Sequence, residues 1–164
     1  MPRALILILA LLLFGINSFG KEQNPPVVEI TFKDPASFTD IRSTHGANEK
    51  DYSWVLLELS KHLQKLVATY LPEGAHLTVI ITDIDLAGHL EFWHTSEDLR
   101  VVRDVYPPLI RLEFKLLTSD GVVKAEGSRR LRNRNFLQQL SGNSTDPLRY
   151  EKELLKKWFK KDLR

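Results

Sequence analysis

The chain has 164 residues, 27% of them charged and 43% apolar, with a formal net charge of +2 and no cysteine. That composition excludes a disulfide scaffold, a lipid-bearing cysteine and cysteine-type zinc sites. A net charge so near zero argues against a general nucleic-acid binder, which is usually strongly basic. The charge is uneven, however. Residues 21–104 carry 8 basic and 14 acidic side chains, whereas residues 105–164 carry 14 and 7.

The first twenty residues read as a secretory signal peptide. Arg3 precedes an apolar run from Ala4 to Phe14, too short to span a bilayer, and Ser18 and Gly20 are small residues placed for cleavage after Gly20. The expected location is therefore periplasmic or secreted, with no transmembrane segment in the mature protein. Residues 21–26, KEQNPP, read as a flexible leader, and residues 27–164 as a single domain.

In VVEITFK, Val28, Ile30 and Phe32 alternate with polar residues, which predicts a half-buried strand. A loop follows. Over residues 49–70 the period changes: Leu56, Leu59, Leu63, Leu66, Val67 and Tyr70 recur at three and four, the mark of an amphipathic helix ended by LPEG. HLTVIITDIDLAG predicts the most apolar, central strand. Residues 89–107 carry no clear period. Ile110, Leu112, Phe114 and Leu116 then face one way and Arg111, Glu113 and Lys115 the other. With the Ser119-Asp120-Gly121 turn and VVKAEGSRRL, this predicts a β-hairpin, with Gly127 marking a bulge or a close approach. NFLQQLSGNST reads as a short helical turn and loop. Asp146 as N-cap and Pro147 as first residue open a final helix with the stripe Tyr150, Leu154, Leu155, Trp158 and Phe159. This order predicts an α+β two-layer sandwich, with about four mainly antiparallel strands and both helices on one face.

Three constellations invite a chemical reading. Asp83 and Asp85, two apart on a strand, present their carboxylates to one side and suit Mg²⁺ or Ca²⁺. They would centre a divalent-metal-dependent hydrolase; the alternative is that they cap turn amides before Gly88. The Asp-x-Asp also imitates the opening of a haloacid-dehalogenase-type phosphatase. Leu86 and Ala87 break that pattern, and no later acidic pair completes it. His89, Glu91 and His94 have the spacing H-x-E-x-x-H, which does not converge on one ion on a strand or a helix. Arg129, Arg130, Arg132 and Arg134 form a basic stretch, with Arg130, Arg132 and Arg134 expected on one strand face. They would bind an anionic envelope component, or merely guard a sheet edge. Asn143-Ser144-Thr145 fits a glycosylation sequon.

Four blocks together resemble a family of exported, mostly proteobacterial proteins catalogued as domain of unknown function 3016. They are VVEITFKDPASFTDIR, LTVIITDIDLAGHLEFW, VVRDVYPPLIRLEFKL with DGVVKAEGSRRLRNRNF, and DPLRYEKELLKKWF. The resemblance spans about residues 27–160 and implies export and one small domain, but no activity. Matching positions include Asp83, Asp85, Gly88, Gly127, Glu151 and Trp158. The family pattern has Pro, Arg and Asp where this chain has Phe92, Leu109 and Asn133. Loss of that Arg and Asp weakens a catalytic reading. The reading that results is a non-enzymatic exported module without a cofactor, engaging an envelope protein or an anionic envelope component.

Overall fold

A computed structural model describes residues 24–41, 49–91, 99–138 and 145–164. The expected signal peptide, His94 and Asn143 of the sequon lie outside these residues. In chain order the elements are β1 (Val27–Phe32), α1 (Glu49–Tyr70), β2 (His76–Asp85), β3 (His89–Glu91), β4 (Leu99–Val101), β5 (Leu109–Leu117), β6 (Val123–Arg132) and α2 (Arg149–Asp162). Single 3-10 turns occupy Pro35–Ser37 and Phe136–Gln138. Asn24, within the expected leader, accepts a hydrogen bond from the Gly74 amide at 2.7 Å.

Four strands form one sheet in the order β1-β2-β5-β6, while β3 and β4 pair as a separate ribbon. β1 runs parallel to β2, because α1 carries the chain back between them, and the other two pairings are antiparallel. Both helices pack on one face. Val55, Leu59, Leu63, Leu66 and Val67 of α1 join Leu155, Trp158 and Phe159 of α2 over Leu77, Val79, Ile81, Ile110, Leu112, Phe114 and Leu116. Each such side chain, removed from water, contributes about 1.5–3 kcal/mol relative to its exposed state. The result is the α+β sandwich that the periodicities predict.

One local expectation is corrected, and at Gly127 the close approach rather than the bulge is found. Asp146 does not cap α2, which begins at Arg149. Asp146 instead accepts the Leu148 amide at 2.9 Å and pairs with Lys152 at 2.8 Å. Gly127 marks no bulge, since it keeps regular register with Phe114 and the shift falls between Leu116 and Leu117. Its missing side chain leaves room for Arg129, whose guanidinium lies 5.2 Å from the Phe114 ring centroid.

A second irregularity positions the functional face. Between Ile81 and Asp83, β2 slips against β5: Ile81 pairs with Leu112 and Asp83 with Arg111, leaving Thr82 as an extra residue. Before the bulge the core side is Leu77, Val79 and Ile81; beyond it the core side is Ile84, which is fully buried. Strict alternation would carry Asp83 and Asp85 into the core with that first row. The bulge turns them to the opposite face. An unpaired carboxylate in the core costs several kcal/mol, so the slip removes a large penalty.

Candidate functional site

The two aspartates share a face, but they have different surroundings. Asp83 holds the chain segment that follows the first 3-10 turn. Its Oδ1 accepts the Thr39 amide at 2.8 Å, its Oδ2 accepts the Thr39 hydroxyl at 3.0 Å, and Arg111 lies 3.6 Å away. Asp40, next along, bridges β2 directly: its amide donates to the Ile84 carbonyl at 3.0 Å and its carbonyl accepts the Leu86 amide at 2.9 Å. The Asp40 carboxylate receives both arms of Arg100, at 2.9 and 3.0 Å, with both side chains largely buried. Such a two-pronged ion pair is geometrically specific.

Asp85 is half-buried and has no such partner among the described residues. Its carboxyl is pushed above the usual range by burial first, then by the charges of Asp40 and Asp83; Arg132 and Arg100 oppose the shift. Opposite it in register stands Leu109, and beyond Leu109 stands Arg132 on the same side of the sheet. Had position 109 carried the Arg of the resembled family, that Arg would stand directly across from Asp85.

The turn after β2 completes the site. Gly88 adopts a positive φ of 88°, and a Cβ there would stand 2.6 Å from the Val101 carbonyl oxygen, so glycine is required. Its amide donates to the Tyr106 carbonyl at 3.0 Å. His89 stacks on Tyr106, ring centroids 5.2 Å apart. Beneath the turn, Glu151 of α2 is 1% exposed; its Oε1 accepts the Ala87 amide at 2.7 Å, while Oε2 has no partner among the described residues. Burial raises its pKa, against the pull of the Ala87 amide. Together these elements enclose a cleft of about 430 Å³, lined by Asp40, Asp85, Gly88, His89, Tyr106 and Arg132 among others. Both signs of charge and an aromatic wall meet there.

The other expected groupings separate. His89 lies in the cleft, but Glu91 pairs with Arg103 at 2.9 Å. Among the described residues, no group of three or more His, Asp or Glu is arranged to hold a metal ion. The four arginines do not form one surface. Arg129 and Leu131 point toward α2, and Arg129 pairs with Asp162 at 2.6 Å. Arg130 and Arg132, opposite Arg111 and Leu109, lie on the other face. Arg134 falls beyond the strand end and lines a separate hollow with Arg103 and Asp104. The shared strand face expected for Arg134 fails because β6 stops at Arg132.

Sequence reasoning missed Asp40, Arg100, Tyr106 and Glu151. Only Glu151 carried a usable signal: it falls on the stripe with Leu154, Leu155 and Trp158, where a carboxylate is out of place. The other three reach the site through loops or through residues without a period.

The family described as "Protein of unknown function (DUF3016)" matches residues 26–161, and the chain belongs to it. No curated protein and no solved structure matches the chain. Among the described residues, no helix is long and apolar enough to cross a membrane.

Proposed function

We propose that this DUF3016 protein is an exported, non-enzymatic binding module that receives a ligand or a partner group in the cleft at the end of β2. One observation carries the reading: Asp85 and Arg132, opposite in charge, line the same cavity and have no ion pair among the described residues. Unpaired charges converging on a pocket of a few hundred cubic ångströms are the usual mark of a recognition site. Export is supported by Arg3, the apolar run Ala4–Phe14 and the small residues Ser18 and Gly20.

Binding is favoured over metal-dependent hydrolysis at Asp83 and Asp85 on electrostatic grounds. Both Asp83 oxygens are already hydrogen-bonded to Thr39, and Arg111 lies 3.6 Å from Asp83, so that carboxylate is already answered by the fold.

The test is a photo-crosslinking residue placed at Val105, which is 66% exposed and lines the cleft. In the native envelope it is expected to trap one specific adduct, which disappears when Asp85→Asn or Arg132→Gln is added. Stabilisation by Mg²⁺, Ca²⁺ or Zn²⁺ in a melting series, or phosphate-ester turnover abolished by Asp85→Asn, would overturn the reading in favour of the metal hydrolase.

A further inference from the structure

Among the described residues the sheet ends in an open strand. β6 is last in the order β1-β2-β5-β6 and is ten residues long; only Ala125 and Leu131 within it are partly buried. Edge strands usually carry devices that stop further pairing. Here a bulge sits on β6 itself but only at its turn end, where Lys124 is the extra residue opposite Leu116 and Leu117, and β6 contains no proline. What guards the edge is charge. A groove of about 340 Å³ runs between this edge and α2, floored by Leu131, Leu154 and Trp158. Its charged lining is Arg129, Arg130, Arg132, Lys157 and Lys161 against a single carboxylate, Asp162. Arg129 is committed to Asp162, to the Ser128 carbonyl and to the Phe114 ring, whereas Arg130, Arg132 and Lys161 have no ion pair among the described residues.

We infer that β6 accepts an additional strand from an acidic partner segment, extended along the edge and held by main-chain hydrogen bonds and carboxylates. A second copy of this chain is a poor occupant, because antiparallel pairing of β6 with itself brings two arginine rows together. The charge that forbids self-pairing therefore selects a strand of opposite sign. Register specifies the pattern. Arg130 and Arg132 lie two apart on the open face, so the partner's carboxylates recur at alternate positions, and the apolar residues between them meet Leu131 and the α2 side of the groove.

The test uses the full-chain protein and fluorescent eight-residue peptides alternating Glu with Val. Controls are the Lys-for-Glu peptide, the Glu peptide with a central proline, and vesicles of equal parts phosphatidylglycerol and phosphatidylcholine. The Glu peptide is expected to bind and to slow hydrogen exchange at alternate amides of β6. Proline abolishes both effects. Arg130→Ser, which lies outside the cleft, weakens binding about fivefold to tenfold, and more at low salt than at high. Equal binding by the Lys peptide, vesicle binding without peptide binding, or no binding at all would overturn the inference. The last outcome leaves the arginines as edge guards.

Discussion

Two ionic clusters in this protein respond to pH in opposite directions. Where α1 meets α2, Lys152 bridges Glu58 at 3.3 Å and Asp146 at 2.8 Å, and His62 Nε2 lies 2.9 Å from the Lys152 carbonyl. Burial pushes the Asp146 carboxyl up, but the Lys152 and Leu148 hydrogen bonds outweigh it and leave the group below its usual range. Hydrogen bonds from Lys61 and Lys152 lower Glu58. Lys152 is depressed by burial but raised on balance by Asp146, and burial lowers His62. At the end of β2, by contrast, Asp85 and Glu151 are both raised, chiefly by burial. The first cluster is closed, each charge answered by another. The second holds carboxyls whose charge burial disfavours, and Asp85 meets no ion pair there among the described residues.

The signs follow. Asp146 and Glu58 add stability above the ordinary carboxylate range that is lost as pH falls through their lowered values. Neutral His62 adds stability that is lost as pH falls from the ordinary imidazole value toward its lowered one. Asp85 and Glu151 add stability in acid that is lost as pH rises through their raised values. Lys152, raised, adds stability that is lost only as pH rises through its own raised value, so below that value the helix junction is acid-labile and the cleft alkali-labile.

Breaking the two-pronged pair in the cleft has the largest expected effect. Arg100→Ala leaves Asp40 beside Asp83 and Asp85 without its guanidinium, and should lower unfolding stability in urea by about 2–3 kcal/mol at neutral pH. Lys152→Met strips both carboxylates of the junction at once. A loss of about 1–2 kcal/mol is expected, together with a shallower fall in stability on acidification. Glu151→Gln retains an acceptor for the Ala87 amide and cannot ionise. Its urea midpoint should exceed that of the parent protein by a margin that grows with pH; an unchanged pH profile would show that Glu151 is not held protonated. The finest comparison is between the two aspartates. Asp83→Ala should cost about 1 kcal/mol through the loss of the Thr39 hydrogen bonds. Asp85→Asn should be neutral or stabilising by about 0.5 kcal/mol, because it removes like-charge repulsion. Two losses of equal size would erase the distinction between a structural and a free carboxylate.

Much of the fold was legible because periodicity is a local property. α1 occupies the residues 49–70 that the three-and-four spacing marks out, and the hairpin strands flank the Ser119-Asp120-Gly121 turn. The candidate site was legible only at Asp85 and its neighbours. Asp83, the other half of the conspicuous pair, anchors the Thr39 segment, a contact 44 residues distant in sequence that no spacing rule can reveal. The helix that carries Glu151 lies 64 residues from the turn it holds.

The sequence by itself determined the export expectation, the types of the four sheet strands and two helices, the helix faces and the family, because each follows from local pattern or from the co-occurrence of blocks. Only the tertiary structure decided which charges are answered. The bulge at Thr82 turns Asp83 and Asp85 out of the core, Leu109 is set across from Asp85, and β6 is left at the sheet edge beside a basic groove. Those outcomes depend on strand register and on contacts between distant segments. A one-residue slip reverses which face a side chain occupies, and nothing in the local sequence records it.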